Sequence, residues 1–193
     1  MAEIKSTMEM VLERAARMAE SAPSKADNAE QLQAGMRLAA RFMNGEDLDL
    51  TAELSGVAPE NRNVFRIGMA KTLLRNVVLP RDEELQHTAE KALSGIISLD
   101  AGQQTQTICK ELGQILGQYN QHKTQATQQL DDAIINQLQQ QAMASGQPAQ
   151  EKINPAMHPQ YREELNRVIV GLNNQYTQAM DQRKEVILQQ ITN

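Results

Sequence analysis

Tryptophan is missing from this chain, aromatic residues make up only 3% of it, and cysteine occurs once, at Cys109. A single cysteine rules out an intrachain disulfide framework, and with it a small stapled secreted scaffold. The scarcity of aromatics argues against an extensive sheet and leaves aliphatic side chains and ten methionines to fill a core, which helix packing accommodates easily. No run approaches the ~18 consecutive apolar residues of a membrane span. Positive charge is not in excess either: 19 Lys and Arg stand against 24 Asp and Glu, a net charge of -5. A nucleic-acid or anionic-membrane surface needs a concentrated basic patch to displace counterions, and no segment supplies one. The opening MAEIKSTMEM alternates charged and apolar residues and lacks the apolar stretch of a secretory signal. A cytoplasmic, bacterial-style protein is therefore expected, although a leaderless secretion route would leave the same pattern.

What the chain does contain is helical periodicity, in two compositionally distinct halves. Residues 1–100 hold three glutamines and 28 charged residues, whereas residues 101–193 hold 21 glutamines and 15 charged residues. In the first half, Ile4, Met8, Val11, Leu12, Ala15 and Met18 recur at three-and-four spacing, with Glu13 and Arg17 paired on the outer side and Ser6 and Glu9 at capping-box spacing. SAPSKAD breaks that helix, and Asp27 with Glu30 opens a second one that carries Leu32, Met36, Leu38, Ala39, Phe42 and Met43 as far as Gly45. A short turn of helix around LTAEL precedes a third long helix that starts at Pro59 and Glu60 and stops at Pro80. The segment DEELQHTAEKALSGIISL reads as a fourth. Four long amphipathic helices with short links predict a bundle over 1–100.

From Gln103 to about Ala144 there is no proline, and Ile108, Leu112, Ile115, Tyr119, Ala126, Leu130, Ile134 and Leu138 keep near a heptad rhythm. This predicts one helix of roughly 60 Å. Asp100 is placed to cap its start. A Pro- and Gly-containing stretch over 145–159 interrupts it, and Tyr161, Leu165, Val168, Leu172, Tyr176 or Ala179, Val186 and Ile187 resume the rhythm in a last helix from about Pro159 to about Gln190. The fold class expected is thus all-α: an N-terminal helical bundle followed by a long antiparallel, coiled-coil-like two-helix hairpin over 101–193. Folding at the breakpoint makes facing residue numbers sum to about 303 and sets Leu138 by Leu165, Ile134 by Ile169, Leu130 by Leu172 and Ile115 by Ile187. Those seam positions (Leu130, Ile134, Leu138, Leu165, Ile169 and Leu172) are the candidate interaction residues. Two weak places qualify the seam: residues 120–129 offer only Ala126, and Gly171 lies within the last helix.

Glutamine is a good helix former that carries no charge, so a Gln-rich flank sustains a long helix without choosing partners through ion pairs. Such a coat reads first as solvated surface and second as a contact surface of amide groups. An aggregation-prone tract is a third reading, weakened by the interspersed Leu, Ile and Asp.

Sites for chemistry are few. Glu84 and His87 form the E-x-x-H spacing that helical di-iron carboxylate sites use, but such a site needs a second copy and further carboxylates, and His122 and His158 supply neither. A solvated first helical turn explains Glu84 equally well. No phosphate-binding, dinucleotide, zincin or nucleophile-elbow motif occurs. Cys109 reads as a small buried hydrophobe. Arg62, Arg66 and Lys71 share a stripe that could take an acidic partner or face solvent, and the methionines fit either a core or an adaptable contact surface.

The segments EIKSTMEMVLERAARM and QAGMRLAARFM resemble the start of a family of uncharacterised bacterial all-helical proteins, a resemblance that implies no activity and no cofactor. The function expected from the residues is non-enzymatic: an adaptor, chaperone-like holder or assembly component, binding a protein partner or a second copy as a homodimer, without cofactor, nucleic acid or membrane. The alternatives are a self-associating structural protein and a helical metal-binding protein or enzyme that uses Glu84 and His87.

Overall fold

The computed structural model of the chain describes residues 25–144 and 154–192. Among these residues every regular element is helical: α1 Lys25–Met43, α2 Leu50–Gly56, α3 Pro59–Asn76, α4 Glu83–Leu99, α5 Gln103–Ala144, a 3-10 turn at Pro155–Met157 and α6 Tyr161–Thr192. The all-α class is what the structure shows. The helix expected around 4–18 and the stretch 145–153 of the expected loop lie outside the described residues.

Local chemistry fixes most of the boundaries. At the end of α1, Gly45 takes φ 96°, open to glycine at no steric cost, while its N–H bonds Phe42 O and the N–H of Glu46 bonds Arg41 O. The Asp49 carboxylate accepts from the N–H groups of Thr51 and Ala52 and starts α2, and Asp82 does the same for α4 through Leu85 N. Pro59 occupies the first turn of α3, where its missing N–H costs nothing. That helix ends at Asn76, earlier than the proline predicts, because the chain turns out at Val77 and buries both Val77 and Pro80. Asp100 accepts from Gly102 N at 3.0 Å and from the hydroxyl of buried Thr105 at 2.5 Å, which holds the tight turn between α4 and α5.

Packing in the first half depends on a crossing of α1 over α3 made possible by glycine. A Cβ on Gly35 would stand 2.1 Å from the carbonyl oxygen of Phe65, and one on Gly68 would stand 2.2 Å from that of Leu32. Each helix thus presses its backbone into the gap left by the other's glycine, and Ala39, Met69, Ala70 and Leu73 are sealed around the crossing with no exposed surface. At Gly95 of α4 the contact is looser, with the Leu73 and Phe42 side-chain ends 3.1 Å from where a Cβ would stand.

The core does not stop where the composition changes. Ile108, Leu112 and Leu116 of α5 and Met180, Ile187 and Ile191 of α6 belong to the same buried cluster as Leu73, Leu93 and Ile96. Arg66 of α3 donates to the carbonyl of Ile191 at 2.9 Å and closes the end of α6 onto the earlier helices. The base of the hairpin is therefore built into the bundle. Farther along, Asn120 Nδ2 of α5 still donates to Gln86 Oε1 of α4. From Asn120 to Ala144, α5 runs about another 36 Å.

Two outcomes check this account. Replacing Gly35 or Gly68 by alanine drives a methyl group into backbone, so each variant loses at least about 2 kcal/mol in denaturant unfolding, against the few tenths gained by the same change at an unstrained helical site. The Asp100 carboxyl is held below its usual range, chiefly by the Thr105 hydroxyl, then by the Gly102 amide and the charge of Arg66. A lowered folded value means that its stabilisation is present above the unfolded value and is lost as pH falls through the folded one. Thermal melts from pH 7 down to about pH 3 fall less steeply in Asp100→Asn than in the parent chain.

Candidate functional site

The hairpin formed by α5 and α6 carries the candidate interaction residues, and its register is set by polar bonds. All three tyrosines of the chain sit in its seam. The Tyr119 hydroxyl donates to Asn173 Oδ1 at 2.8 Å, and that of Tyr161 donates to Asp131 Oδ1 at 2.7 Å. The Tyr176 hydroxyl shares a 2.7 Å hydrogen bond with His122 Nδ1. Tyr119 and Tyr176 meet edge to face at 5.4 Å, and the His122 ring meets Tyr176 edge to face at 5.9 Å. Nearer the bundle, Arg183 Nε donates to Glu111 Oε2 at 2.8 Å. This polar and aromatic cluster fills the stretch 120–129 that has only Ala126 to offer as an aliphatic seam member.

These pairs (111 with 183, 119 with 173, 122 with 176, 131 with 161) confirm an antiparallel hairpin, with facing numbers that sum to between 292 and 298. The sum of about 303 expected from symmetric folding at the loop is too high by about one heptad. The observed register sets Leu130 opposite Leu165, Ile134 opposite Tyr161, Ile169 opposite Ala126 and Ile115 opposite Met180. A stripe that repeats every seven residues meets its partner almost equally well after a slip of seven, so periodicity alone does not choose between the two alignments. The hydroxyl partners Asn173, Asp131 and His122 do choose. The signal available in the sequence was the coincidence of every tyrosine with a seam position.

Burial along the seam is incomplete. Of the six candidate interaction residues only Ile134 is buried, at 5% exposure, while Leu130, Leu138, Leu165, Ile169 and Leu172 are half-buried. Two helices cover only one side of each other. Near the far end, Met143 is 72% exposed and Met157 81% exposed, and Val170 stands 47% exposed on the outer face of α6. Beside the seam, the face of α5 from Asn120 to Ile135 lines an open groove of about 810 Å³, bounded by the first turn of α4 at one end and by Pro155 at the other.

The other sequence candidates resolve simply. Glu84 and His87 are both exposed, and the His87 ring, 80% exposed, lies nearest to Glu90 at 3.6 Å. Among the described residues no group of three His, Cys, Asp or Glu side chains is placed to hold a metal ion. Burial, with a smaller effect from the charge of Asp100, pushes the Cys109 thiol up to about 11, which leaves it protonated and unreactive at neutral pH. The arginine stripe is engaged internally: Arg62 donates to the Ser55 and Val57 carbonyls at the end of α2, and Arg66 does so to Ile191 at the end of α6.

If the tyrosines set the register, Tyr119→Phe costs about 1 kcal/mol. A double-mutant cycle with Asn173→Ala returns a coupling of similar size, measured by urea unfolding.

A family of unknown function (DUF6657) matches residues 51–189. The match begins beyond the two N-terminal segments that carry the resemblance noted from the sequence, and its description likewise assigns no activity. No curated protein and no solved structure matches the chain.

Proposed function

We propose that this chain, which belongs to the DUF6657 family, is a non-enzymatic protein-protein interaction module that offers the outer part of its hairpin to a partner in a cytoplasmic setting. The observation that carries this reading is the half-covered seam: among the described residues, apolar side chains along about 36 Å of helix pair have one helix beside them where a closed bundle would give two or three. A partner helix laid on that flank would complete the burial and gain roughly 25 cal/mol for each Å² of apolar surface removed from water. The exposed Met143, Met157 and Val170 extend the same apolar character to the far end and to the outer face of α6. Methionine suits such a role because its flexible thioether adapts to differently shaped partners.

Self-association is the second reading, favoured by the low charge of this region. Residues 121–144 hold only Lys123, Asp131 and Asp132, and residues 161–179 hold Arg162, Glu163, Glu164 and Arg167, so two hairpins would approach with little repulsion. Enzymatic or metal chemistry at Glu84 and His87 has no comparable support from geometry. No helix among the described residues is long and apolar enough to cross a membrane.

Native mass spectrometry with affinity capture from lysate tests the proposal. A reproducible partner, or a dimer, is expected, and Val170→Asp removes it while leaving the melting temperature within about 2 °C, as befits an exposed position. A parent chain that stays monomeric over a broad concentration range and captures nothing contradicts both readings.

A further inference from the structure

A second cavity lies at the inner end of the seam, where the hairpin leaves the bundle. It measures about 300 Å³ and is walled by the link between α3 and α4, by α5 and by α6. Its apolar lining comes from Val78, Leu79 and Met180, and Tyr119 and Asn173 close one side with their hydroxyl-amide bond already made. Two cations, Arg81 and Lys184, and one carboxylate, that of Asp181, reach it.

The charges in this cavity are unbalanced. The Lys184 ammonium has one carboxylate near it, that of Asp181 at 3.8 Å, and while the Lys184 side chain is 19% exposed, that of Asp181 is 64% exposed and well solvated. Arg81 makes no ion pair among the described residues, and the neighbouring Asp82 carboxylate is taken up in capping α4 through Leu85 N. A methionine would cover the same apolar surface as the lysine stem without any ammonium to strip of water. Burial lowers the affinity of Lys184 for its proton, more than the nearby Asp181 raises it. The charge of Arg81 reaches Tyr119 across the cavity, where it opposes the effect of burial on the phenol. Two cations against one solvent-exposed carboxylate, with Arg81 exposed at the rim and Lys184 in the wall, stand over an aliphatic floor in a cleft at the lower end of the size range of small-ligand sites, an environment complementary to one negative group on a short hydrocarbon body.

We propose that this cavity binds a small aliphatic monocarboxylate, with the carboxylate held between Arg81 and Lys184 and the hydrocarbon body laid against Val78, Leu79 and Met180. The two cations divide the work: Lys184 supplies a poorly hydrated point charge from the wall, and Arg81 supplies a fork of donors from the rim. The ligand's carboxylate adds a second anionic partner to the one that Lys184 has in solvent-exposed Asp181. The site lies inward of the outer hairpin and holds whether or not that outer part binds a protein.

The test uses the full chain with hexanoate, hexanol and hexylamine as probes, followed by amide chemical shifts. Hexanoate is expected to move the amides of Val78, Thr177 and Lys184 saturably, with a midpoint around the millimolar range for so small a ligand. Hexanol and hexylamine bind at least tenfold more weakly. Lys184→Met and Arg81→Gln each weaken hexanoate at least tenfold, and Lys184→Met melts at or above the temperature of the parent, because a desolvated charge has been removed. Hexanoate that produces no saturable shift overturns the proposal, as does equal binding of hexanol. The comparison of the three probes on the parent chain decides the matter even where a variant fails to fold. Undiminished hexanoate binding in a folded Lys184→Met also refutes it.

Discussion

The burial of the last turns of α6 among helices that precede residue 100 is the constraint on which the rest of the architecture depends. Ile187 and Ile191 have no exposed surface and share one cluster with Leu73 and Ile96, and Arg66 fastens the final carbonyls of α6 to α3. A chain that departs along a 42-residue helix and must return to the same core can do so only as an antiparallel hairpin whose two legs are pinned at the base. Everything beyond Asn120 follows from that. Among the described residues the outer legs touch mainly each other, and most of their apolar seam side chains are half-covered.

Within the hairpin, two kinds of interaction divide the task. Aliphatic residues supply burial but, at heptad spacing, tolerate a slip of one repeat. The tyrosine bridges to Asn173, Asp131 and His122 tolerate none, since a slip would separate each hydroxyl from its partner by about 10 Å. Glutamine completes the arrangement. Its side chain favours helix and carries no charge, so the flanks neither reinforce nor oppose a particular pairing, and specificity is left to the seam and its polar bonds.

Much of this was legible beforehand. The span of α5 follows from the lack of proline between Gln103 and Ala144, and the end of α1 and the start of α3 follow from Gly45 and Pro59, because capping is local chemistry, whereas Asp100, expected to cap α5, holds the turn before it through Gly102 N and the Thr105 hydroxyl. The register was not legible, because it depends on which polar groups meet across two helices distant in sequence. The glycine crossing was missed although its sign was present: Gly35 and Gly68 each lie in the middle of an apolar helix, where glycine is unfavourable unless something approaches closely. The composition change at Asp100 marks how the surface is coated, and the buried cluster passes across it. The junction cavity had no sequence signature, since Arg81 and Lys184 are about a hundred residues apart and ordinary in their own segments.

Native-state hydrogen exchange measured amide by amide tests the shared core most directly. The slowest amides of α5 between Ile108 and Leu116 and of α6 between Met180 and Ile187 are predicted to open together with those of α3 and α4, at the global unfolding free energy, while amides between residues 121–144 and 161–175 open at lower energy. Exchange in which residues 103–192 open as one unit, separate from residues 25–99, would contradict the account.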